Sequence, residues 1–237
     1  MPSGFPGFPP EMFQFFRNLK RNNRREWFQP RKELFERHVK LPMTELVVAL
    51  NTEFMKFAPE YVTDPKKAIF RIYRDTRFSP DKSPYKTHLG ASFGRRGGGM
   101  QGGGFYFGVS TEGVEIAGGI YHPEPNALLA VRMHIAENHE RFREILSHRQ
   151  VKKLFGGLQG DELTRVPKGF DAAHPAADLI KKKDWLLGFS LEPEVAITPR
   201  LFKELLDRFR AMSPFIEYLN QALTGKKPTK DLLADRL

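Results

Sequence analysis

Apolar positions recur every three to four residues near the start of the chain, at Phe13, Phe16 and Leu19, which predicts a helix from Pro10 to about residue 20. Asn22 and Asn23 read as its stop and as a new cap. A second helix is expected from near Pro30, with Pro42 restarting it, because proline suits a first turn and lacks the N–H that a helix interior needs. Leu46, Val47, Leu50, Phe54 and Phe57 then share one face, the stripe of a helix laid against a sheet.

After Asp64-Pro65 the pattern changes to short β-rich pieces. Residues 68–74, 89–94, 105–110 and 114–121 read as strands, with Thr111-Glu112-Gly113 as a tight turn between the last two. No helix-length connection separates them, so the sheet is expected to be mainly antiparallel. Beyond His122-Pro123-Glu124-Pro125, residues 126–138 form an amphipathic helix through Leu128, Leu129, Val131, Met133 and Ile135, and a further helix covers 140–146. Residues 156–175 are Gly- and Pro-rich and irregular, and 185–191 return as a strand. Two short helices, 199–212 and 214–223, close the fold before a loosely held tail after Gly225. The expected class is α+β in a single domain, 1–237: helical over about 10–60, a sheet core over about 68–122, and helical again over about 126–223.

Composition narrows the function classes. A chain of 237 residues, 40% hydrophobic with 21 Phe, has ample apolar surface for a core. No apolar run approaches the roughly 20 residues needed to cross a bilayer. The start, MPSGFPGFPPEMF, lacks the basic flank and apolar stretch of a secretion signal, so a cytoplasmic location without a membrane partner is expected. The absence of Cys excludes disulfides and thiolate chemistry. The net charge of +10 is uneven: residues 1–100 hold 19 Lys and Arg against 10 Asp and Glu, net +9, which leaves +1 for the remainder. A localised basic excess draws anions, nucleic acid among them.

Within that basic half, R-I-Y-R-D-T-R-F-S-P-D-K-S-P-Y-K at 71–86 collects Arg71, Arg74, Arg77, Lys82 and Lys86 with the carboxylates Asp75 and Asp81. If 69–75 is a strand, Arg71, Tyr73 and Asp75 share one face while Phe70, Ile72 and Arg74 share the other. Arg74 on an apolar face needs a partner: Asp75, Asp81 or a bound anion. Pro80 suits a turn, and Pro84 pushes Ser83 toward an extended conformation, so the cations that follow are held with little freedom. Guanidinium groups add planar donors that match phosphate or carboxylate oxygens.

The block, together with N-N-R-R-E-W-F at Asn22 to Phe28, G-G-I-Y-H-P at Gly118 to Pro123 and the helix of Arg132, resembles a family of conserved hypothetical proteins of bacteria and fungi, a domain of unknown function. The resemblance spans most of the chain and implies no particular activity, cofactor or metal.

Three residues are candidate proton carriers. Tyr85 lies beside Lys86, whose charge is expected to ease phenol ionisation, and His122 ends a strand and carries an imidazole, the side chain best suited to proton transfer near neutral pH. Asp75 is the weakest of the three, because neighbouring cations favour its ionised form. Other motifs fail. Gly97, Gly99 and Gly102 satisfy G-x-G-x-x-G, but a strand follows where a pyrophosphate needs a helix N-terminus, so the segment reads as a hairpin loop. His134, Glu137 and His139 miss the H-x-x-E-H spacing, and the two imidazoles fall on different helix faces. No metal and no cofactor are expected. Trp27 and Phe28 read as core anchors.

The function expected is therefore anion binding, of phosphate or carboxylate, through Arg71, Arg74, Arg77, Lys82 and Lys86, on a small phosphorylated or acidic substrate. The alternatives are a nucleic-acid-binding module using the basic half and a non-catalytic scaffold whose Arg and Asp form a structural network.

Overall fold

The computed structural model describes residues 4–96 and 102–224. The glycine-rich hairpin loop falls largely, and the tail after Gly225 wholly, outside the described residues. The helices are α1 (Pro10–Arg21), α2 (Arg25–Phe28), α3 (Lys32–Phe35), α4 (Leu41–Phe57), α5 (Pro65–Ala68), α6 (Pro125–Ser147), α7 (Arg149–Phe155), α8 (Ala177–Ile180) and α9 (Arg200–Thr224). The strands β1 (His88–Gly94), β2 (Gly104–Ser110), β3 (Val114–Ile120) and β4 (Trp185–Leu191) form one antiparallel sheet in the order β1-β2-β3-β4. The α+β class follows.

The chain divides into two compact units, each discontinuous in sequence. One holds the residues up to Phe93 with Tyr106–Ile116 and Phe189–Arg208; the other holds Gly94–Phe105, Ala117–Gly188 and the residues from Phe209. In the first unit, α1 buries Met12, Phe13, Phe16 and Leu19, while α4 buries Leu46, Val47, Leu50 and Phe54. Phe54 meets Phe93 of β1 edge-on at 4.9 Å, and Phe93 lies over Phe107 of β2 at 6.4 Å. In the second unit, Phe105 packs on Phe209 at 5.1 Å, and Phe142 stacks on Phe215 and Tyr218 at 5.7 and 4.7 Å.

Pro42 lies in the first turn of α4, as expected, and α3 leads into that helix through a π turn, Glu36–Lys40, in which the Leu41 N–H reaches back five residues to the Glu36 carbonyl. A proline ring clashes with the carbonyl four residues before it, and the wider turn makes room. The two C-terminal helices are one, α9, with Pro214 inside. Leu205, Phe209, Met212, Ile216 and Leu219 along it are fully buried, and that packing outweighs the single hydrogen bond proline forfeits. Residues 68–74 are not a strand. Ala68 closes α5, and the extended segment after it pairs at isolated bridges, Ile69 with Ala91 and Tyr73 with Tyr85. Pro84 has no N–H with which to lengthen a ladder there.

Candidate functional site

The 71–86 block folds as a long hairpin loop in the first unit. Arg74 N–H donates to Pro84 O at 2.9 Å and Lys86 N–H to Ile72 O at 2.7 Å, so the two arms meet antiparallel. The closing arm is fixed from far along the chain: Asn23 Nδ2 donates to Tyr85 O at 2.9 Å and Tyr85 N–H donates to Asn23 Oδ1 at 3.1 Å. Asn23 is thus a clamp on the block and not the cap of α2, whose N-cap is Arg24.

Both carboxylates are consumed by the loop. Asp75 accepts Arg77 Nε at 3.0 Å, Arg77 Nη2 at 2.7 Å and the Arg77 backbone N–H at 3.2 Å. Asp81 accepts the Ser83 N–H at 2.8 Å and pairs with Arg74, which also reaches Ser79 Oγ at 3.3 Å. These are Asx turns reinforced by ion pairs. Lys82 Nζ donates to Thr76 O at 2.9 Å. Three of the five cations therefore serve as struts. As expected from alternation, Arg71, Tyr73 and Asp75 are exposed and Ile72 is buried, but Phe70 is exposed as well.

Arg77 holds the Asp75 carboxyl at about 2, below the ordinary 3.8, and hydrogen bonds from Ser83 and then Arg74 hold Asp81 lower still. A depressed carboxylate pKa contributes stability that is complete above the unfolded-state value near 3.8 and is lost as pH falls through the folded value. Carboxyl-detected NMR should place the Asp75 midpoint near 2 in the folded protein. In Arg77→Ala it should return toward 3.8.

Lys86 and Arg71 have no ion pair among the described residues. Lys86 sits over the Phe70 ring, its Nζ 5.3 Å from the centroid, and burial followed by the Arg71 charge pushes its pKa down. A pocket of about 550 Å³ lies against this group, lined by Lys20, Asn23, Arg74, Asp75, Asp81, Ser83, Tyr85, Lys86, Thr87 and His88. Lys20 is already engaged with Glu112 at 2.7 Å. His88 is held toward its neutral form by burial and then by Lys86, so it offers one donor and one acceptor without charge.

Of the proton carriers expected, Tyr85 is 1% exposed, and its ring stacks on Phe28 at 4.1 Å. Burial pushes its phenol up, the reverse of the easing expected from nearby cations. Asp75 stays ionised in its Arg77 fork. His122 belongs to the second unit and does not line this pocket. It has φ 47°, rare for a residue with a side chain. Its backbone N–H donates to the buried carboxylate of Asp184 at 2.6 Å, and its Nδ1 lies 3.4 Å from the same oxygen. Arg71, Arg77 and Lys82 do not line this pocket either. Among the described residues no three His, Cys, Asp or Glu gather in a cluster able to hold a metal ion, and no helix is long and apolar enough to cross a membrane.

Sequence reasoning missed Asn23 and His88. His88 stands two residues past the block, and its imidazole beside Thr87 was the available signal. Nothing local marks Asn23 as a clamp, because its partner lies 62 residues away.

The fold and this site define an α+β protein carrying a cation-rich, side-chain-braced loop over a polar pocket. The family model of a conserved hypothetical protein (DUF2461) matches residues 11–218, and the chain belongs to that family. No curated protein and no solved structure matches it.

Proposed function

We propose that the protein binds a small phosphate- or carboxylate-bearing molecule at Lys86, with Ser83, Thr87, Asn23 and His88 supplying further polar contacts in the same pocket. The observation that carries this reading is the state of Lys86: a partly buried ammonium beside Arg71, without a carboxylate, on an arm fixed by Asn23. Burial and a like charge both disfavour an ammonium, so an anion that neutralises it gains more than it would on a free surface lysine. Preorganisation lowers the entropy lost on binding. Arg74, Arg77 and Lys82, spent on Asp81, Asp75 and Thr76, act as braces in this reading.

Isothermal titration of wild type with inorganic phosphate, acetate and small phosphorylated metabolites tests it. Lys86→Ala should weaken the best anion at least tenfold, as expected for a charge-assisted contact. Arg77→Ala should leave affinity within about twofold, the range of an exposed ion pair. Equal affinity in wild type and Lys86→Ala, or no binding of any anion, sinks the reading.

A further inference from the structure

The same unit carries a second pocket of different chemistry, about 620 Å³, between the π-turn helix and the extended segment that opens the block. Its apolar lining includes Phe35, Ile69, Phe70, Ile72 and Leu89. Phe35, Ile72 and Leu89 are core residues, whereas Phe70 at 41% remains open to solvent. Around this lining stand Lys32, Lys40, Lys66 and Arg71, with Glu36 as the one carboxylate. Glu36 is taken by Lys40 at 2.8 Å, and Lys32, Lys66 and Arg71 have no ion pair among the described residues. The wall between Glu36 and Lys40 is the π turn itself, a local feature found disproportionately at functional sites.

An apolar cavity would favour any greasy molecule, and a cationic surface any anion. Their combination selects a molecule that is both. We infer that this pocket binds a single-headed amphiphile, a small molecule with a short apolar chain or ring and a carboxylate or phosphate head, the body lying along Ile69 and Phe70 and the head meeting Arg71, Lys66 and Lys32. The volume lies within the range of small-molecule pockets, which are apolar with a few placed polar groups. The three unneutralised cations line one cavity, which fits a monomeric ligand. This goes beyond the phosphate-type site at Lys86 and involves different side chains.

Isothermal titration with octyl phosphate and octanoate, below their micellar concentrations, and with inorganic phosphate and acetate distinguishes the two sites. In Lys86→Ala, which removes the polar-pocket cation, octyl phosphate should still bind, and each methylene added between butyl and octyl should tighten binding about fourfold as it leaves water. Thr44→Trp, which fills the cavity from α4, should weaken octyl phosphate at least tenfold while leaving inorganic phosphate unchanged. Lys66→Glu, at an exposed rim position, should weaken it several-fold without burdening the fold. Chain-length-independent affinity overturns the inference while sparing the Lys86 site, as does octyl phosphate binding unaffected by both Thr44→Trp and Lys66→Glu. Octyl phosphate binding lost together with phosphate in Lys86→Ala assigns both to one site and also overturns it.

Discussion

Tyr85→Ala is expected to lower stability by about 3 to 5 kcal/mol in urea denaturation, the cost of removing a fully buried aromatic ring and leaving its cavity. The ring is 1% exposed, stacks on Phe28 at 4.1 Å and meets Tyr73 at 5.4 Å, so three parts of the first unit lose contact at once. Tyr85→Phe keeps the stack and should stay within about 1 kcal/mol of wild type, since only one hydroxyl is lost. The pair of variants also separates roles. A residue needed for proton transfer would show its defect in the Phe variant, whereas a keystone shows it in the Ala variant only. Loss of more than about 3 kcal/mol in Tyr85→Phe would contradict the packing account.

The second large effect belongs to Gly119. Its φ of 133° lies where side chains are rarely tolerated, and a Cβ built there would fall on the Trp185 carbonyl oxygen, a backbone atom of β4. Neither obstacle yields to a rotamer change. Gly119→Ala should therefore cost about 3 kcal/mol or more, because β3 and β4 must separate locally or the backbone must change region. Trp185 is fully buried, with its indole N–H donating to Leu179 O at 3.1 Å, so it has little room to retreat. Gly157, around which nothing lies within 4 Å of a built Cβ, is the matched control. Its alanine variant should melt within about 0.5 kcal/mol of wild type, and equal melting of the two variants would refute the steric argument.

Most helices and strands could be read from the sequence because their periodicities are long and clean. Leu46, Leu50 and Phe54 trace α4, and the Thr111-Glu112-Gly113 turn lies where β2 returns as β3, with Ser110 N–H donating to Gly113 O at 2.9 Å. At Pro42 the local rule holds, since α4 starts there, but at Pro214 it fails: it counts the missing N–H and is blind to the buried stripe on α9. Residues 69–74 show the converse: their extended conformation was legible, but whether an extended segment finds enough partners for a ladder depends on Pro84 and β1.

The candidate site was legible as a place and not as a set of roles. Five cations could be counted, but which of them the loop would consume is decided by two turns. Asp75-x-Arg77 and Asp81-x-Ser83 carry the Asx-turn spacing in the sequence, and reading them as turns would have tied Arg77 to Asp75 in advance. The burial of Tyr85 was beyond such reading, because it depends on Phe28 arriving from elsewhere in the chain.

The Asn23 clamp divides the block by what each part depends on. The turns braced by Asp75 and Asp81 draw on partners no more than seven residues away. The arm bearing Lys86 is held both by the block itself, through Lys86 N–H to Ile72 O, and by a side chain 62 positions upstream of Tyr85. The spare cation therefore depends on a distant part of the chain in a way that the aspartate braces do not.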